Sequence, residues 1–233
     1  MELTFGEHWH YVINNWTFNL DTIIMAWIAM FIVLGFCSLL VMFIKLKREP
    51  GKVQTFAEIC YGFLESIPAA TLGKEGRSFT PVVGSLFLFI LTANLIGQLP
   101  LRLVHLPEAE LASPTNDLNL TAALAILATI FYICSGIKKK GLINYVKHYF
   151  QPMWWMFPLN FLEDFTRPLS LSLRLFANIL AGEVIIALLL GSFLAAGLPV
   201  AMMLFEVFVA FIQSFIFAVL TASYIAGAVS QEH

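Results

Sequence analysis

The chain has 233 residues, 59% of them apolar and 12% charged, with a formal net charge of −2 and a mean hydropathy of +0.83. No ordinary soluble domain of this length combines so little charge with so positive a hydropathy, so the chain belongs in a bilayer. The near-neutral balance, with Lys and Arg gathered into short clusters, argues against a nucleic-acid surface and fits charges confined to loops and membrane edges.

At the N-terminus, Glu2, Glu7 and Asp21 stand where a signal peptide would carry basic residues, so the first apolar run is expected to be retained. His8 and His10 form an HxH pair, but a metal site needs more ligands than two and none is expected. A hydrocarbon core of about 30 Å is crossed by about 20 apolar residues rising about 1.5 Å each. Three runs meet that requirement: 21–44, ending at Lys45, Lys47 and Arg48; 80–99, ending at Pro100; and 118–137, ending at Lys138, Lys139 and Lys140. Between the first two, Phe56, Ile59, Cys60, Phe63, Leu64 and Ile67 recur at helical spacing, with Glu58 and Glu65 on the other face. This pattern predicts an amphipathic helix along the membrane surface or against a neighbour. Cys37, Cys60 and Cys134 lie far apart in apolar surroundings and read as small hydrophobes, not as a disulfide framework.

The basic clusters at 45–52 and 138–147 are two crossings apart, so the positive-inside rule puts both on the cytoplasmic side. The loop between carries His105, Glu108 and Glu110, with Arg102 as the nearby cation, and falls on the other side. The N-terminus is then outside and the C-terminus cytoplasmic.

From 157 to 195 the chain stays compatible with one helix yet contains Glu163, Asp164, Arg167, Arg174 and Glu183. Such a helix is far longer than the bilayer is thick, so it must tilt or lie partly in the membrane plane, with Pro168 a place to bend. Gly197, Leu198 and Pro199 make a turn into a last helix, again overlong. The expected fold is an all-α membrane protein, one domain over 1–233 with 1–20 as an outer segment. It has five transmembrane helices plus one amphipathic surface helix, and residues 157–229 form a hairpin of two long, tilted helices.

Arg174 is the costly residue, since an arginine at mid-bilayer demands a partner or water. Its neighbours three and four residues away are Ser170, Leu171, Ala177 and Asn178, none a carboxylate. Glu183, nine positions on, falls on the opposite face about 13 Å along the axis. The partner therefore lies on another chain or elsewhere in the fold; the alternative is that Arg174 snorkels to an interface, a role for which Arg167 is better placed. Glu206 and Gln213, seven residues apart, share one face of the last helix and with Glu183 can line a water path. Gln213 can equally hydrogen-bond a neighbouring helix. A carboxylate within the membrane is expensive to keep ionised and is a natural proton carrier.

The run from Pro168 through Arg174 and Asn178 to Glu183, PLSLSLRLFANILAGE, resembles the signature of the F-type ATP synthase subunit a family. Family-like blocks follow in order elsewhere: Asn94 to Pro100, Pro114 to Asn119, the Lys138 to Gly141 run, Glu163 to Pro168, and Ile212 to Tyr224. The likeness runs from about residue 50 to the end, and Leu106-Pro-Glu-Ala-Glu-Leu is closest in wording to the cyanobacterial and chloroplast branch. Two departures are visible: Ala177 stands where glycine is usual, and Glu206 fills a position that varies between branches.

The resemblance implies an ion-conducting stator with no cofactor and no catalysis of its own, in a bacterial plasma membrane or a thylakoid. The long hairpin would embrace a ring of c subunits, alongside peripheral-stalk b subunits and the F1 sector. Arg174 would face the ring carboxylate and separate two half-channels for protons or Na⁺. Glu183, Glu206, Gln213 and Asn178 would belong to the outer one, and Glu163 with Asp164 to the cytoplasmic one. The absence of a GxxxxGK[ST] run agrees that nucleotide binds elsewhere. A secondary transporter would instead show an inverted repeat and a midplane site on broken helices, and neither is visible; a passive channel would work without partners.

Overall fold

A computed structural model describes residues 10–13, 16–43, 51–98, 113–148, 153–190 and 198–229. Among them, five helices are long and apolar enough to cross a membrane. These are α1 (Leu20–Phe43), α3 (Thr80–Gln98), α4 (Leu118–Lys140), α6 (Phe157–Leu190) and α7 (Leu198–Val229). The amphipathic α2 (Lys52–Leu72) and a short α5 (Leu142–His148) complete the α-helices among the described residues, and single 3-10 segments stand at Gly73–Ser78, Pro114–Asn116 and Trp154–Met156. The cluster Lys45, Lys47 and Arg48, the loop with Arg102, His105, Glu108 and Glu110, the His8 position and Gly197 lie outside the described residues.

The ends of α4 show why the boundaries fall where they do. Asp117 caps its start, the carboxylate accepting from Asn119 N at 2.8 Å and satisfying a backbone donor that the helix leaves open. Gly141, at φ +80°, ends it with its N–H bonded to Ile137 O at 2.8 Å, a conformation that glycine adopts without strain. Lys138, Lys139 and Lys140 therefore form the last turn of the helix, where cations complement the helix dipole, and do not follow it as the sequence suggested.

Two elements went unforeseen. β1 (His10–Ile13) pairs antiparallel with β2 (Trp16–Asn19), His10 opposite Asn19, just before α1. After Gly141, α5 turns back so that Tyr145 is buried against α4 and α7.

Helices α3 and α7 form the centre. Val83, Phe87, Tyr132, Ala218, Ala222 and Ile225 make one buried cluster; Leu86, Ile90, Ala125, Leu171, Leu175 and Phe217 make another, which brings α6 onto α3, α4 and α7. The alanines at these contacts let backbones approach closely, which drives helix association where lipid is as apolar as the protein. Helix α1 touches the rest chiefly through Met25 and Ala29, and far less of it is buried within this chain than of α3.

The sequence left open whether α2 lies on the surface or against a neighbour, and the inner half of its stripe packs. The Phe63 ring centroid is 5.6 Å from that of Phe87 and 6.1 Å from those of Phe211 and Phe215, and Ile67 is buried. Phe56 and Ile59 stay exposed.

Helix α6 runs unbroken through Pro168 for 34 residues, and α7 has 32. At about 1.5 Å per residue both are near 50 Å, well beyond a hydrocarbon core of about 30 Å.

Candidate ion-transfer site

Helix α6 divides into two faces. Leu171, Ser172, Leu175, Ile179 and Gly182, at spacings of three and four, are buried, while Ser170, Leu173, Arg174, Ala177, Asn178 and Ala181 are exposed. The buried face is fixed by apolar packing and by one polar contact, the Ser172 and Thr121 hydroxyls 3.2 Å apart. Arg174 is thereby turned outward. It makes no hydrogen bond or ion pair among the described residues, and its near neighbours on that face are mostly small.

One turn further along α6, Asn178 Nδ2 donates to Gln213 Oε1 of α7 at 2.9 Å, and Gln213 is buried. Two turns up α7 from Gln213, Glu206 is also buried. Its carboxylate rests on Gly182, so closely that a Cβ at Gly182 would overlap Glu206 Oε1. Three of the four residues assigned to an outer ion path, Asn178, Gln213 and Glu206, are thus brought onto the α6–α7 seam. The fourth, Glu183, is in α6, but its side chain lies outside the described residues.

Glu163 and Asp164 are not part of that seam. They sit about 15 Å from Arg174 along the axis, where Arg167 holds both: Nη2 is 2.6 Å from Glu163 Oε1 and Nη1 is 3.3 Å from Asp164 Oδ1. The Tyr132 hydroxyl donates to Asp164 at 3.1 Å, and the guanidinium lies 5.9 Å from the Tyr132 ring centroid and 5.0 Å from that of Tyr224. Sequence reasoning gave Arg167 a snorkelling role and overlooked that acids three and four residues before it are its natural partners. Tyr132 had no signal of its own.

A second polar cluster, also missed, sits at the opposite end of the bundle. Thr115 donates to Asn94 Oδ1 at 2.8 Å and lies 2.7 Å from the Ser113 hydroxyl, while Asn19 Nδ2 donates to Asp117 at 2.7 Å. Polar residues inside an otherwise apolar run, Asn94 above all, were the available clue.

Comparison with known proteins matches the sequence of this chain to one family. Residues 23–226 fit the family described as ATP synthase A chain. The ATP synthase subunit a of Gloeobacter violaceus (strain ATCC 29082 / PCC 7421) is 43% identical over 229 residues, covering 96% of this chain and 89% of that protein. With five apolar helices, a charged α6 and this degree of likeness over nearly its whole length, the chain belongs to the ATP synthase subunit a family, the non-catalytic, ion-conducting membrane stator of the F-type enzyme in its cyanobacterial branch.

Proposed function

We propose that Arg174 is where this stator meets the ionisable carboxylate of a rotating ring of c subunits. The observation that carries the reading is the bare, outward-turned guanidinium part-way along a membrane helix. Leaving a cation there without a counter-charge is expensive, and the surrounding Ser170, Ala177 and Ala181 leave room for another helix to come close. A carboxylate arriving opposite Arg174 is held ionised and gives up its ion; once past, it can be neutralised and carried through lipid.

In this reading the α6–α7 seam is the outer half-channel. Glu206 and Glu183 pass the ion inward, and the Asn178–Gln213 pair delivers it one turn from Arg174. Glu163 and Asp164, at the opposite end of α6, form the cytoplasmic exit. Arg174 stands between the two, so an ion crosses only by riding the ring. Each charge falling through 100 mV releases about 2.3 kcal/mol, so several must pass for each ATP made in the F1 sector. The b subunits hold the stator against the torque.

The test is a cross-link. In an assembled complex, Ala177→Cys should form a disulfide with a cysteine placed beside the ring carboxylate, whereas Ile126→Cys, exposed on α4, should not. Equal capture by both positions, or none by the first, overturns the assignment.

A further inference from the structure

A cavity of about 800 Å³ opens at the end of the bundle that carries the α4 lysines, between the turn Gly73–Ser78 and the last turns of α4. Lys74, Arg77, Lys138 and Lys139 line it together with a single acid, Glu75. Two of the cations are occupied: Lys139 pairs with Glu75, and Arg77 with Glu65 at 2.5 Å. Lys74 and Lys138 are exposed and make no ion pair among the described residues. Beneath this rim the lining turns apolar, with Phe79 and Phe131 edge to face at 6.3 Å between centroids and Val229 beside them.

We propose that this cavity binds the headgroup of an anionic glycerolipid of the adjoining leaflet. Its phosphate is held by Lys74 and Lys138, and the start of an acyl chain lies on Phe79 and Phe131. Charge alone would suit any small anion, but the volume falls in the range of about 300–1,000 Å³ that accepts a drug-sized ligand, and an inorganic anion has no use for an aromatic floor. The cavity sits where spanning helices end, the level at which lipid phosphates lie and at which basic pockets between helices take anionic headgroups. Neither the ion path nor Arg174 is involved, so the inference stands apart from the ring-contact reading.

Cys134 is exposed and lines the cavity, which supplies a reporter. The purified, delipidated, fully assembled complex is treated with a water-soluble maleimide, and Cys134 labelling is followed by peptide mass spectrometry. Phosphatidylglycerol in mixed micelles should slow the labelling, whereas phosphatidylcholine and inorganic phosphate should not. Lys74→Gln with Lys138→Gln should raise the phosphatidylglycerol concentration needed for half-protection by about 30-fold, as loss of two surface cations predicts. Lys74→Arg with Lys138→Arg should keep it near the parent value. Equal protection by phosphatidylcholine would reduce the site to ordinary lipid contact, and equal protection by inorganic phosphate would make it a free-anion site. A Cys134 already unreactive in the delipidated complex would mean that another subunit covers the cavity. Each of these three results overturns the proposal.

Discussion

Two arginines sit seven residues apart on α6, hence nearly on the same face, and the helix treats them oppositely. Arg167 is saturated, with Glu163 and Asp164 on its own helix and the rings of Tyr132 and Tyr224 around it. Arg174, about 10 Å further along, makes no hydrogen bond or ion pair among the described residues. A cation that has its counter-charges at home is part of the scaffold; in the proposed reading, one left without them at membrane depth meets a charge carried by another chain. The difference arises in the i−3 and i−4 positions, filled by acids before Arg167 and by Leu171 and Ser170 before Arg174.

The contrast breaks most sharply by substitution. Arg174→Lys keeps the charge but loses the planar fork, and ATP-driven ion pumping should fall at least ~100-fold, with the thermal dissociation of the complex unchanged. Arg167→Ala should behave the other way round. It strips both acids of their partner and should cost about 1–2 kcal/mol of stability, seen as a lower dissociation temperature, with pumping reduced but present. The cost stays below that of a fully buried pair because Glu163 is 55% exposed.

Smaller effects are expected on the α6–α7 seam. Gly182→Ala forces the Glu206 carboxylate off α6 and should slow pumping several-fold. Adding Glu206→Asp, one methylene shorter, should recover part of the rate; no change from Gly182→Ala would remove Glu206 from the path. Asn178→Ala and Gln213→Ala, taken as a double-mutant cycle on complex stability, should show a coupling of about 0.6 kcal/mol, the usual size for a hydrogen bond between membrane helices.

Much of this was legible in the sequence because a bilayer imposes a length rule: α1, α3 and α4 begin and end within a few residues of the apolar runs. Arg174 stood out by cost alone. Spacing also put Glu206 and Gln213 on one face, but which helix that face meets depends on how α6 and α7 cross, and no single-helix pattern encodes that. The packing of α2 was hidden for the same reason, since Phe63 finds its partners, Phe211 and Phe215, about 150 residues away. The apolar run stops at Lys138, but α4 goes on to Lys140, because a helix is ended by its cap, here Gly141, and not by the charge that ends an apolar run.

The account rests on Arg174 being the part of this stator that acts on another chain's carboxylate. The most direct measurement is ATP synthesis under an imposed ion gradient, in vesicles holding equal amounts of assembled complex carrying either Arg174→Ala or Arg167→Ala. Synthesis should vanish with Arg174→Ala, accompanied by a passive ion leak, and persist at a reduced rate with Arg167→Ala. Near-normal synthesis with Arg174→Ala would contradict the account.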